Sequence, residues 1–80
     1  MPAINVRYFA SLREKAGKES EALNVDCATY GELYLQLAKQ YSFNLPLSMI
    51  QLAVNDEFVP VDRPLMAGAK VVFIPPVAGG

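Results

Sequence analysis

Eighty residues, 52% of them hydrophobic and only 19% charged, make one small domain with ample apolar material for a core and a surplus for a partner. A net charge of −1, with seven Lys and Arg residues scattered along the chain, excludes the basic stripe of a nucleic-acid binder. One cysteine and no histidine exclude an internal disulfide and leave no metal-ligand spacing, and no apolar run reaches the roughly 20 residues of a membrane helix.

Ile4, Val6 and Tyr8 alternate with Asn5 and Arg7, the period-2 pattern of a half-buried strand. Phe9 and Ala10 continue into a short helical stretch or turn over Ser11 to Ala16, with Gly17 placed as its C-terminal cap. A second alternation, with Leu23 and Val25 on one face, predicts a strand antiparallel to the first. Thr29-Tyr30-Gly31-Glu32 has the spacing of a capping box. Behind it Tyr30, Leu33, Tyr34, Leu37, Ala38 and Tyr41 form one apolar face of a helix that ends near Tyr41 or Ser42, and Leu35 falls off that face. Gly31 costs this helix about 1 kcal/mol relative to alanine, which the apolar stripe outweighs.

Ile50, Leu52 and Val54 predict a third strand, and Asn55-Asp56-Glu57 a turn into a short return strand at Phe58-Val59. Pro60 and Pro64 make the following stretch irregular, and Ala67-Gly68-Ala69 turns the chain into a last strand, Lys70 to Ile74. That strand is the most continuously apolar, so it is expected at the centre, parallel to the first. These elements add up to an α+β domain over residues 1–74, a mixed sheet with one main helix on one face, in the β-grasp (ubiquitin-like) arrangement. The other face lacks a covering helix, so Phe73 or its neighbour Ile74 is expected to meet a partner or solvent there, depending on register.

Residues 75–80 form the extended tail. Pro75 and Pro76 end the strand and stiffen its root, and Val77 and Ala78 lead to Gly79-Gly80. Fully extended, these six residues reach on the order of 20 Å. The glycines let backbone pass through a narrow channel, and the Gly80 carboxylate is an unhindered nucleophile toward ATP. Adenylation followed by sulfur displacement would leave a thiocarboxylate. The tail alone fits equally well a frayed end with chance glycines.

Few other residues offer chemistry. Cys27 near a helix start invites a sulfur-handling reading, but with no second thiol or imidazole it is expected to be a packing residue. Arg13 and Glu14 read as a solvated turn pair, and Asp56, Glu57 and Asp62 as ordinary turn acids. The N-terminal stretch MPAINVRYF has no signal-peptide pattern, and a lone cysteine suits a reducing compartment, so a cytoplasmic setting is expected.

Almost end to end, the chain resembles the small, sulfur-carrying subunits of molybdopterin synthases. The likeness lies in Val6-Arg7-Tyr8-Phe9-Ala10 with Arg13-Glu14 and Gly17, the helix start from Thr29 to Leu33, Ala53-Val54-Asn55, Pro64-Leu65, and above all Phe73-Ile74-Pro75-Pro76-Val77-Ala78-Gly79-Gly80. The acidic pair that often follows the glycine of the last turn in that family is absent here, where Gly68 precedes Ala69 and Lys70. The resemblance implies a non-catalytic subunit that binds no cofactor itself. It also implies an ATP-dependent activating enzyme that adenylates Gly80, and a large synthase subunit that receives the tail, residues 75–79, in its active site. There sulfur would pass to precursor Z (cyclic pyranopterin monophosphate), in a complex of two small and two large subunits. The thiamine-pathway sulfur carrier, also ending in two glycines, and a ubiquitin-like interaction or conjugation module are the competing readings. The length of the chain and Pro75-Pro76 stand against the former.

Overall fold

The computed structural model describes residues 3–76. Strand β1 (Ala3–Tyr8) leads into helix α1 (Ala10–Ala16) and strand β2 (Ser20–Asn24). Helix α2 (Tyr30–Tyr41), a 3₁₀ turn (Leu47–Met49) and strands β3 (Gln51–Val54), β4 (Glu57–Phe58) and β5 (Lys70–Ile74) follow. The five strands form one sheet in the order β2-β1-β5-β3-β4. The first and last strands lie side by side and parallel, with Val6 opposite Val71 and Tyr8 opposite Phe73. Every other pairing is antiparallel. This is the β-grasp, with the apolar last strand at its centre as expected.

Local chemistry accounts for the corners. Gly17 takes a left-handed φ of 74° and returns its N–H to Arg13, closing α1. Asn55 and Asp56 both have positive φ, 51° and 72°, the requirement of the two-residue turn that matches strand twist in a hairpin, here between β3 and β4. At the start of α2, Thr29 Oγ1 accepts the Glu32 N–H at 3.2 Å. The Glu32 carboxylate reaches back to the N–H of Ala28 at 3.3 Å, one residue further than a standard capping box.

The core lies between α2 and one face of the sheet. Tyr30, Leu33, Tyr34 and Leu37 descend from the helix onto Ile4, Val6 and Tyr8 of β1, Val71 and Phe73 of β5, and Leu52 and Val54 of β3. Leu35, off the apolar stripe, is more than half exposed. The glycine in the first turn of α2 has a packing reason. Gly31 donates to the Val61 carbonyl at 2.7 Å, and a Cβ there would meet that oxygen at 3.2 Å and a Leu47 methyl at 3.3 Å. The propensity loss lets the Val59–Leu65 segment lie directly on the helix.

One polar group anchors β2 to the aromatic end of the core. The Glu21 carboxylate accepts the phenol O–H groups of Tyr8 and Tyr41, the latter at 2.7 Å, and the Lys18 ammonium at 3.3 Å. Burial alone would raise its pKa, but these three donors outweigh that and hold it below the usual carboxylate value. A carboxylate depressed in the folded state stabilises the fold above the unfolded-state pKa, and that stabilisation is lost as pH falls through the folded value. Denaturant melts of Glu21→Gln are therefore expected to show a loss of about 1–2 kcal/mol at neutral pH that shrinks below the ordinary carboxylate range. An equal loss at pH 7 and pH 3 would contradict this account.

Candidate functional site

The strand that carries the tail is held on both sides. β5 pairs with β1 through Tyr8↔Phe73 and with β3 through Leu52↔Phe73 and Gln51↔Ile74. Pleating sends alternate side chains to opposite faces, so the register decides which of the two candidate interface residues is available. Phe73 points into the core, fully buried, with its ring edge-on to Tyr34 at 5.3 Å between centroids. Its expected role as a partner-facing residue is therefore corrected, because contact with a partner would require pulling the ring out of the core. Ile74 lies on the other face and is half-buried.

Beyond Ile74, Pro75 is buried and Pro76 exposed. Both line a groove of about 520 Å³, whose other walls are Ile74, Phe9, Ala10, Ser11 and Glu14. The groove exists because β1 breaks sharply into α1. Phe9 is extended, and Ala10 adopts a left-handed φ of 49°, a conformation that costs a non-glycine residue about 1–2 kcal/mol. The remaining tail candidates, Val77, Ala78, Gly79 and Gly80, lie outside the described residues.

The face of the sheet away from α2 extends from this groove. Across it runs one row, Ser20–Arg7–Val72–Ala53–Phe58, each residue directly opposite the next on the neighbouring strand. Phe58, at 72% exposure, is the most exposed large apolar side chain among the described residues, and Phe9 is 38% exposed near Ile74. Val72, Ala53, Ile74, Phe9 and Phe58 thus make an apolar surface continuous with the root of the tail. Sequence reading named Ile74 but missed Phe9, Val72 and Phe58. The surplus of hydrophobic residues signalled that such a surface existed, and the parity of β5 would have added Val72 to Ile74. Phe58 was hidden because a two-residue strand has no alternation to read.

Glu14 lines the groove, but Cys27 stays apart from this site. Cys27 Sγ donates to Gln36 Oε1 at 2.8 Å beside the start of α2. Burial first, then the nearby Glu32 and Asp26 carboxylates, push its thiol pKa up, so the helix terminus does not activate it. Among the described residues no group of His, Cys, Asp or Glu side chains could hold a metal ion, and no helix is long and apolar enough to cross a membrane.

Comparison with known proteins places this geometry. The family model described as the ThiS family matches residues 6–80. The molybdopterin synthase sulfur carrier subunit of Escherichia coli K12 is 35% identical over 80 residues, covering 96% of this chain and 99% of that protein. The protein of the same description from Mycobacterium tuberculosis H37Rv is 36% identical over 83 residues, covering all of both chains. Among solved structures, a putative molybdopterin converting factor subunit 1 from Pyrococcus furiosus superimposes with a TM-score of 0.78 at 25% identity, over 96% of this chain and 100% of that one.

Proposed function

The chain belongs to the ThiS family, and from that membership we propose that it is the sulfur-carrier subunit of a molybdopterin synthase. The observation that carries the reading is near-complete alignment, at 35–36% identity, with two proteins bearing that description. The thiamine-pathway alternative has no such support among the curated relatives.

In this reading the chain is a carrier and supplies no catalytic group. A Gly80 carboxylate oxygen attacks the α-phosphorus of ATP in the activating enzyme, releasing diphosphate and leaving an acyl-adenylate. A sulfur nucleophile at the oxidation level of hydrosulfide adds to the activated carbonyl and expels AMP. The product is a thiocarboxylate, with no net redox change. In the large synthase subunit the thiocarboxylate sulfur bonds to a side-chain carbon of precursor Z, displacing an oxygen substituent there. Water then cleaves the resulting thioester, leaving the sulfur on the pterin and returning Gly80 to a carboxylate. A dithiolene needs two sulfurs, so two loaded carriers are consumed per molybdopterin, in keeping with a complex of two small and two large subunits. All these steps take place in the cytoplasm.

The body's contribution is mechanical. β5 is clamped between two strands and Pro75 is packed into the body, so the root of the tail is held at a fixed point. Ordering Pro75 and Pro76 in advance reduces the entropy lost when a partner takes up the tail. Four residues span at most about 14 Å, so the acceptor chemistry must lie within that distance of Pro76.

Mass spectrometry of the protein coexpressed with its activating enzyme is expected to show a species about 16 Da heavier, with sulfur replacing oxygen at Gly80. That species, with the large subunit, is expected to convert the pterin precursor. No mass gain under active conditions would refute the carrier role. A gain without pterin conversion would move the chain to the thiamine-type pathway.

A further inference from the structure

The open face of the sheet is apolar near the tail, yet one charge stands inside it. Arg7 occupies the β1 position of the row, between Ser20 on β2 and the apolar run Val72, Ala53 and Phe58. Among the described residues, the only other charged one at an open-face strand position is Lys70, at the far end of β5 and bridged to Asp56 of the β3–β4 turn at 3.4 Å. Two features hold Arg7 in place. Its guanidinium lies 5.6 Å over the Phe9 ring, and one nitrogen donates to Glu19 Oε1 at 3.2 Å.

We propose that Arg7 is the specificity-determining residue of this face, and that the surface it selects is an apolar patch on the large synthase subunit bearing a carboxylate opposite the guanidinium. Charge complementarity carries the assignment. Both Arg7 and Glu19 are about half exposed or more, 48% and 62%, so their present pairing is hydrated and worth little. Docking on Val72, Ile74 and Phe58 would cover Arg7 and strip its water. A partner without an acceptor would then bury an unsatisfied guanidinium, whereas a carboxylate would meet several of its five N–H donors. The discrimination thus comes from penalising the wrong partner as much as from rewarding the right one. Glu19 is the competitor: it occupies the guanidinium in the free chain and repels the incoming carboxylate.

The inference rests on the sulfur-carrier reading, and titration calorimetry with the purified cognate large subunit separates the two. At low salt Arg7→Gln is expected to bind about tenfold more weakly than wild type and with a flatter salt dependence, its melting temperature nearly unchanged. Glu19→Gln is expected to bind at least as tightly as wild type. Equal affinity of Arg7→Gln and wild type would overturn the role of Arg7 alone. So would a Glu19→Gln loss as large as that of Arg7→Gln, which would make the pair a structural unit. A large subunit that fails to bind the wild-type chain would overturn this inference together with the carrier reading.

Discussion

Phe73→Ala is expected to destabilise the protein by about 3–5 kcal/mol, the range for emptying a buried aromatic site. The ring is fully buried, sits opposite Tyr8 on one side and Leu52 on the other, and meets Tyr34 edge-on. A domain of this length has a total stability of roughly 4–12 kcal/mol, so the variant stands near its unfolding threshold at physiological temperature. Urea unfolding followed by far-UV circular dichroism measures the loss directly. The matched control is Ile74→Ala, one residue along and on the opposite face. It is expected to keep most of the stability and lose affinity for the large subunit. If Phe73→Ala instead melted like wild type, the register of β5 deduced here would be wrong by one residue.

Deletion of Gly79 and Gly80 has the opposite profile. Sulfur transfer is expected to vanish, because the carboxylate proposed to accept adenylate is removed and the new terminus, on Ala78, falls short by about 7 Å. Stability is expected to be nearly unchanged. The buried hydrophobic core of the described residues runs from Ile4 to Phe73, and the deletion removes none of it. Thermal melts beside a coupled assay with the activating enzyme and the large subunit measure both quantities. Retained sulfur transfer in the truncated chain would overturn the proposed chemistry.

Most of the architecture was legible in the sequence because its strands alternate cleanly. Ile4-Val6-Tyr8 and Leu52-Val54 each declare a face, and the α2 stripe declares another, so the layers and the capping of α2 followed. The central place of β5 followed from its unbroken apolar run. Periodicity could not supply the register, however. In a strand reading Val71-Val72-Phe73-Ile74 both faces look alike, and only pairing with Tyr8 and Leu52 sends Phe73 inward and Ile74 outward. The groove at the tail root was equally invisible, since it depends on Ala10 adopting a left-handed conformation that alanine seldom takes. Tertiary packing chose that conformation over the local preference.

The placement of β5 between β1 and β3 also has a temporal side. On the side away from β2, residues 5–8 find their neighbours only when residues 70–73 arrive, so closing the sheet joins segments more than sixty positions apart. During synthesis the N-terminal strands and α2 emerge first and must wait, with an unfilled slot at the middle of the sheet. The segment that fills the slot is the one that leads into the tail. A chain interrupted before Ile74 therefore lacks the end of its central strand as well as the proposed cargo site, and would have no complete body to offer the proposed activating enzyme. Under the proposed carrier chemistry, completion of the fold and presentation of the reactive end become a single event, which would keep sulfur from being loaded onto unfinished carriers.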